Sequence, residues 1–389
     1  MSPYTHCKPL TGLNLDGTAG DHRPSPNLAR HSGNSSCRSS ERIVDAHQTS
    51  VLSSALVALV YVFALQLTRQ RSVAALTGAL CAASPTFVGF GAVLGSEHLA
   101  TPLALASLIL ALEFRRLESP SLGPYALVLC AGLCLGSAIL TRGEAVFYVP
   151  VVLAAVSVSP RRQVLRGAVA GTLCLVGVGT LVVPWYQRNA AVDQRAGLST
   201  TSGLNFYLAH NETGYGRAAE KRDVFSGLSE VERNEEGWRL GWRHIRETHV
   251  VGMLRSTAQG TLQLFLEPPL YAVKWSTTTR GKSKKQAKWN ARLAYRALGY
   301  AVATAFYYAL LLCSLFVGRH RRKLFRPAFT AALALVFTNW LCYAVIFWGK
   351  ARYRYLVEVL MCVFAAVTLD AILRARASKH RATQNGPKG

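Results

Sequence analysis

Four short clusters of ionisable and aromatic side chains stand at the ends of apolar runs. In chain order they are Glu97-His98, Arg142 with Glu144, the stretch 184–189 that contains Arg188, and the stretch from Lys350 to Tyr355. An ionisable group beside the hydrocarbon layer of a membrane is costly and marks a candidate functional site. A carboxylate such as Glu97 can act as a general base or hold a hydroxyl or a metal ion. The planar fork of an arginine such as Arg142 suits a phosphate.

The composition of the chain indicates which elements position these clusters. Half of the 389 residues are apolar and only 16% are charged, whereas soluble domains average about 25% charged residues. The apolar runs have the length needed to cross a hydrocarbon layer of about 30 Å. The pattern excludes a soluble enzyme and a small disulfide scaffold, and alternating short strands are absent. The sequence therefore predicts an all-α polytopic membrane protein.

The net charge of +24 does not indicate a nucleic-acid partner. The basic residues cluster at the ends of apolar runs, as the positive-inside rule predicts, and no nucleic-acid-binding module is visible. The predicted surroundings are membrane lipids. Most of the nine cysteines lie inside apolar runs, without CxxC or zinc spacing, and are interpreted as small core residues. No metal-binding residue is assigned.

The apolar runs predict about nine membrane helices, at residues 50–67, 73–94, 99–114, 124–140, 145–158, 167–184, 294–317, 327–348 and 356–373. The predicted domains are a disordered segment (1–48), a bundle of six helices (49–184), an external loop domain (185–293), three carboxy-terminal helices (294–373) and a basic cytoplasmic tail (374–389). The positive-inside rule places the amino terminus outside. One further helix before residue 41 would repair that topology, and the chain is expected to lack it.

The segment 185–293 is too long for a plain loop. Residues 198–216 are rich in Gly, Asn, Thr and Tyr and predict turns, whereas 228–258 predict a helix, so that a mostly helical cap joins the sixth and seventh membrane helices. Trp238, Trp242 and Ile245 share one face of this helix. That face either packs on the helix bundle or lies on the membrane surface.

The cluster from Lys350 to Tyr355 breaks the positive-inside pattern, because its three cations fall on the predicted external side. An anionic ligand would compensate them. All four clusters are predicted on that side, under the helical cap. This arrangement suits an enzyme that uses a membrane-embedded phosphate donor and an external acceptor. It also suits a transporter with an outer vestibule, although no inverted repeat is visible.

Five sequence segments resemble motifs of one enzyme family. They are Leu94 to Glu97, Gly132 to Glu144, Val183 to Asn189, Ser199 to Gly214, and Arg352-Tyr353. With these motifs in this order, the chain from about Ile43 to Leu373 resembles the bacterial branch of the GT-C membrane glycosyltransferases, of the protein O-mannosyltransferase and aminoarabinose-transferase type. The resemblance implies an inverting transfer of a sugar, mannose or another hexose or pentose, from a polyprenyl-phosphate donor. The implied acceptor is a lipid, glycan or protein, at the periplasmic or external face of a bacterial inner membrane.

The resemblance suggests a role for each candidate residue. Arg142, Arg352 and Tyr353 are expected to bind the donor phosphate. Glu97 is the candidate catalytic residue, and a divalent metal ion is left open as its partner. The expected substrate-binding residues are His98, Glu144, Arg188, Asn205 and Asn211.

The sequence departs from the family at two points. The family's presumed base lies in an acidic loop after its first helix, and no aspartate near the amino terminus matches it. The proline that follows "RY" in the family is also absent, since Leu356 and Val357 stand there. The chain is therefore expected to be truncated or diverged. The alternatives to a transferase are a transporter or flippase of lipid-linked sugars, and a truncated non-catalytic relative.

Overall fold

The computed structural model describes residues 34–84, 86–87, 95–117, 121–157, 164–193, 197–211, 224–266, 298–299, 302, 305–306, 309 and 327–384. The chain divides into two compact units, Met1–Val44 and Asp45–Gly389. The described part of the chain contains helices and connecting turns but no strand. All contacts discussed below lie within the second unit.

Ten α-helices and three other helical segments make up the described fold. The α-helices are α1 (Asn34–Thr68), α2 (Arg71–Ala83), α3 (Glu97–Arg116), α4 (Leu122–Thr141), α5 (Val149–Ser157), α6 (Val164–Asp193), α7 (Ser202–Ala209), α8 (Glu230–Leu266), α9 (Pro327–Trp340) and α10 (Tyr355–Gln384). The other segments are a 3₁₀ helix at Gly143–Tyr148, a π-helix at Leu341–Ile346 and a 3₁₀ helix at Ala351–Arg354.

Six of the described helical stretches are long and apolar enough to cross a membrane. They are Ser50–Thr68, Glu97–Arg116, Leu122–Thr141, Val164–Val192, Phe329–Ile346 and Arg352–Ser378. Two shorter apolar stretches, Arg71–Ala83 and Gly143–Ser157, match the predicted second and fifth helices. The prediction of an all-α polytopic membrane protein is confirmed. The predicted helix at 294–317 falls almost entirely outside the described residues.

The first helix begins earlier than the sequence predicts. It starts at Asn34, so residues 34–48, assigned to the disordered segment, are helical. This stretch contains no glycine or proline after Asn34. Glu41, Arg42 and Ala46 are good helix formers, so the helix continues in front of the apolar run. Residues 1–33 lie outside the described part.

Small residues let α4 and α6 approach closely. A Cβ atom on Gly132 would overlap the carbonyl of Cys174, and one on Gly177 would lie 2.7 Å from the carbonyl oxygen of Leu129. Close backbone contact through glycine is a common way to join helices in a membrane, where lipid removes the usual hydrophobic drive for association. Arg142, a residue of the candidate site, follows the end of α4.

Helix α7 runs through a segment that the sequence predicts as turns. Gly203 of α7 and Gly237 of α8 face each other so closely that a Cβ atom on either would overlap the other helix's backbone. Phe206 stacks on Trp238, with ring centroids 4.4 Å apart and an interplanar angle of 30°. Packing against α8 therefore outweighs the weak helix propensity of Ser202, Gly203 and Asn205.

Helix α8 packs on the other helices, which is one of the two predicted arrangements. Trp238 and Ile245 of the predicted face pack against a buried cluster that includes Phe347, whereas Trp242 is 48% exposed. Beyond this face, the indole of Trp340 donates a hydrogen bond to Thr261 Oγ1 at 3.0 Å. The helix also has a break at His249, whose φ of 51° lies in the left-handed region. The residues that follow the break carry an exposed apolar face.

Candidate functional site

Irregular helical segments converge on a single site. Glu97 opens α3, and Arg142 follows α4 in extended backbone (φ −145°, ψ 111°) before the 3₁₀ helix at 143–148 begins. Arg352 and Tyr353 lie in the 3₁₀ helix at 351–354. The ends of helices that are far apart in sequence therefore bring together three of the clusters singled out above. Short π- and 3₁₀-helical interruptions are frequent at functional sites.

These segments surround a cavity of about 350 Å³, a volume that includes space open to solvent. Its lining residues are Glu97, Ala100, Thr101, Ala104, Arg142, Ala145, Tyr148, Asn339, Tyr343, Arg352, Tyr353, Tyr355 and Leu356. The cavity thus combines a charged group of side chains with neutral polar and apolar ones.

The carboxylate of Glu97 is paired with two arginines. Arg142 Nη1 donates a hydrogen bond to Glu97 Oε1, and Arg352 Nε lies 3.7 Å from the same oxygen. Arg142 Nε also lies 3.8 Å from Glu144 Oε2. The two arginines differ in freedom, because 12% of the Arg142 side chain is exposed and 43% of the Arg352 side chain. Arg142 is held by two carboxylates, whereas Arg352 has room for a further partner.

Two stacked tyrosines support both guanidinium groups. The rings of Tyr343 and Tyr353 are nearly parallel, with centroids 4.7 Å apart. The guanidinium carbons of Arg142 and Arg352 each lie 4.7 Å from the centroid of Tyr353. Arg352 Nη2 also donates a 2.6 Å hydrogen bond to the Tyr353 hydroxyl. Cation–π contacts of this kind contribute about 0.5–2 kcal/mol each. Tyr353 is therefore a shared platform that orients both cations.

The residues of the site do not fit a divalent metal ion. Glu97 faces two guanidinium groups, which would repel a cation. In the part of the chain that the structure describes, no group of three His, Cys, Asp or Glu residues could hold one. Hard cations require several oxygen ligands, whereas the partly exposed fork of Arg352 suits an anion such as phosphate.

His98 and Glu144 lie near the cavity but do not line it. The ring of His98 is buried, and its Nδ1 lies 3.3 Å from the Tyr355 hydroxyl and 3.5 Å from Ser53 Oγ. Glu144 lies beside Arg142, with Oε2 3.8 Å from Arg142 Nε. The geometry assigns both residues to the support of the lining side chains.

The structure does not bring the other three predicted substrate-binding residues to the cavity. Arg188 stacks on Trp185, with its guanidinium carbon 5.0 Å from the ring centroid. The backbone carbonyl of Asn205 accepts a 3.1 Å hydrogen bond from the amide of Trp348. The amide of Asn211 donates to two carbonyls at the end of α7, at 3.0 and 3.1 Å. Asn205 and Asn211 join or terminate helices and Arg188 packs on its own helix, roles that composition alone does not distinguish from ligand binding.

Arg354, the third cation of the cluster from Lys350 to Tyr355, is buried instead of facing the cavity. Only 1% of its side chain is exposed, and its Nε lies 3.3 Å from Glu358 Oε2. Its Nη1 donates to the carbonyls of Leu264 and Phe265 at the end of α8, at 3.3 and 3.0 Å. Ser84 Oγ donates a 2.5 Å hydrogen bond to the other oxygen of Glu358. Arg354 is therefore compensated by a carboxylate of its own chain.

Sequence analysis missed the neutral polar part of the lining. Thr101, Tyr148 and Asn339 all line the cavity, yet each lies within an apolar run. Asn339 offered a usable signal, because an amide in the interior of a membrane helix is costly and needs partners. Its amide nitrogen donates to the Tyr148 hydroxyl at 2.9 Å.

A family model matches part of the chain. The model describes the dolichyl-phosphate-mannose-protein mannosyltransferases and matches residues 44–186. The matched part includes Glu97 and Arg142. This finding confirms the resemblance to the GT-C membrane glycosyltransferases. No curated protein matches the chain in sequence.

The chain is also similar to solved structures of an archaeal oligosaccharyltransferase from Archaeoglobus fulgidus. For AglB in complex with an inhibitory peptide and a dolichol-phosphate, the identity is 14% and the TM-score 0.47, over 90% of this chain and 41% of the other. For the apo form, the identity is 15% and the TM-score 0.45, over 88% of this chain and 41% of the other. The chain spans about two fifths of the length of these structures.

Proposed function

We propose that this chain is a membrane glycosyltransferase that moves a sugar from a polyprenyl-phosphate donor to a lipid, glycan or protein acceptor, with inversion at the anomeric carbon. One observation carries the proposal: Arg142 and Arg352 converge with Glu97 on one cavity at the ends of membrane helices. The family match over residues 44–186 supports the same reaction class. The proposed location is a bacterial inner membrane, with the cavity open to the periplasm or the cell exterior.

Arg352 is the proposed anchor of the donor phosphate. Its 3.7 Å contact with Glu97 is longer than a hydrogen bond, and its side chain is partly exposed. A phosphate oxygen can therefore bind the guanidinium group without displacing a tight partner. Hydrogen bonds to charged groups contribute about 1.5–3 kcal/mol. Arg142 is held by Glu97 and Glu144 and adds positive charge beside the phosphate.

The transfer itself makes one bond and breaks another. The acceptor oxygen bonds to the anomeric carbon as the bond from that carbon to the phosphate oxygen breaks, with positive charge developing on the sugar ring. The acceptor proton passes to the carboxylate of Glu97, the proposed base. Negative charge gathers on the departing polyprenyl phosphate and is stabilised by the guanidinium groups of Arg352 and Arg142.

The test uses membranes that contain the full chain and a panel of labelled polyprenyl-phosphate sugars (mannose, glucose and arabinose). We expect a new glycosidic product from at least one donor. Arg352→Ala should weaken donor binding about 10- to 100-fold, since 1.4 kcal/mol corresponds to a factor of ten. Arg352→Lys should fall between this variant and the wild type, because the charge remains but the fork is lost.

Lys350→Ala is the matched control. The Lys350 ammonium lies 3.9 Å from the centroid of the Trp348 ring, and the residue does not line the cavity. Removal of this neighbouring cation should leave donor binding close to the wild-type value. Equal transfer by Arg352→Ala and the wild type would contradict the proposed anchor. Movement of labelled donor across vesicles without a new glycosidic bond would instead favour a flippase, and complete inactivity a non-catalytic relative.

A further inference from the structure

Tyr148 and Asn339 form a fixed polar pair on the wall of the cavity. Asn339 is the last residue but one of the apolar helix α9, and only 1% of the residue is exposed. Its Nδ2 donates to the Tyr148 hydroxyl at 2.9 Å and to the backbone carbonyl of Tyr353 at 3.3 Å. A carbonyl can only accept, so the contact with Tyr353 fixes which end of the amide is the nitrogen. The Tyr148 hydroxyl must therefore act as the acceptor in this pair.

Because the Tyr148 hydroxyl accepts this hydrogen bond, its own proton needs a separate acceptor. A phenol hydroxyl that accepts a hydrogen bond still has its own proton to donate. Among the described residues, no acceptor for the Tyr148 proton is found, although the side chain lines the cavity. A buried donor without an acceptor costs about 1–3 kcal/mol. Tyr148 lines the cavity, where a bound molecule can supply the acceptor.

The amide oxygen of Asn339 provides a second, independent observation. Oδ1 is buried and accepts no hydrogen bond from the described residues. In the structure it is covered, so a ligand reaches it through a small shift of a neighbouring side chain while Nδ2 keeps its two hydrogen bonds. A donor on Tyr148 beside an acceptor on Asn339 is the arrangement that matches a hydroxyl, which both accepts and donates.

We infer that Tyr148, positioned by Asn339, binds one hydroxyl of the transferred sugar and makes the enzyme selective at that ring position. The inference rests on the proposed function, since it assigns the sugar-binding part of the same cavity. Tyr353 links the two parts: its carbonyl accepts from Asn339, and its ring supports both guanidinium groups. A sugar held by the neutral pair would therefore lie next to the phosphate held by Arg352.

The test compares the donor that the wild-type chain transfers best with the full set of its monodeoxy analogues, in membranes that contain the full chain. The readout is the ratio of kcat/KM for the complete sugar to that for each analogue. The wild type should disfavour one analogue by about 10- to 100-fold, because its site leaves polar groups without partners when the hydroxyl is missing. Tyr148→Phe, which removes only the hydroxyl, should bring that one ratio close to one. Asn339→Ala should lower the same ratio.

Tyr125→Phe is the matched control. Tyr125 is a partly buried tyrosine on α4 whose ring contacts Phe114, and it does not line the cavity. The control should keep the wild-type ratios for every analogue. An unchanged ratio in Tyr148→Phe, or an equal loss for all analogues, would overturn the inference while the proposed function stands. If the wild-type chain transfers none of the donors, the proposed function fails and the inference fails with it.

Discussion

The buried pair of Arg354 and Glu358 allows a quantitative test of how the fold is held together. Glu358→Ala removes the carboxylate that faces Arg354 and also the acceptor of the Ser84 hydroxyl. The Arg354 side chain is 1% exposed, so water cannot replace the lost partner. Removal of one partner of a buried ion pair costs about 3–5 kcal/mol. We therefore expect Glu358→Ala to lower the free energy of unfolding by that amount.

The double variant separates the cost of an unpaired charge from the contribution of the pair. Replacement of both partners by apolar residues of similar volume is often close to neutral. The variant Arg354→Met with Glu358→Leu should therefore be more stable than Glu358→Ala. The double-mutant cycle, completed with the single Arg354→Met and Glu358→Leu variants, should give a coupling energy within the range of about 0.5–3 kcal/mol that is usual for residues in contact.

Helix α10, which carries Glu358, offers a control with the same spacing. Arg374 and Asp370 also lie four residues apart on α10, with Nε and Oδ2 2.9 Å apart, but Arg374 is mostly exposed. Exposed pairs contribute about 0–1 kcal/mol, so Asp370→Ala should change stability little. Unfolding in mixed detergent micelles, followed by tryptophan fluorescence, measures all variants. If Glu358→Ala costs no more than Asp370→Ala, the reasoning about the buried pair is wrong.

Two further predictions concern the contacts of α7 and α8. Burial lowers the pKa of His210, whose neutral ring donates from Nε2 to the backbone carbonyls at 345–346. Below pH 6.5 the unfolded chain therefore binds more protons than the folded chain, so the free energy of unfolding should fall as the pH is lowered from about 7 to 5. His210→Gln should flatten this pH dependence of stability. Identical pH dependence in this variant and the wild type would contradict the role of His210. Gly237→Ala should lower the free energy of unfolding by about 1–3 kcal/mol, because the added Cβ overlaps Gly203. The control is Gly179→Ala, whose added Cβ meets its nearest neighbour at 3.9 Å. Equal stability of the two variants would refute the close approach.

The sequence predicts the charged residues of the site because an ionisable side chain at the end of a membrane-spanning run is energetically costly and therefore marks a candidate site. Glu97, Arg142 and Arg352 stand at the ends of apolar runs, where an ionisable group needs a reason. The same runs predict the all-helical membrane fold. The three residues come from separate links, and the structure places them around one cavity.

The neutral half of the site is not predictable from composition. Tyr148 and Asn339 lie within or at the end of apolar stretches, and whether such a residue faces a cavity or lipid depends on how the helices are rotated against each other. Hydropathy does not specify that rotation. Arg354 illustrates the same limit, since it lies two residues from Arg352 yet is buried. Helix α7 differs again, because its packing on α8 overrides local propensity.

The turn at 351–354 holds residues with two different attachments. Arg352 and Tyr353 line the cavity, while Arg354, the next residue along, is bonded to the last carbonyls of α8. A turn of four residues has little slack, so a displacement of the end of α8 must shift the cationic wall as well. The position of Arg352, the proposed anchor of the donor phosphate, therefore depends on where α8 ends.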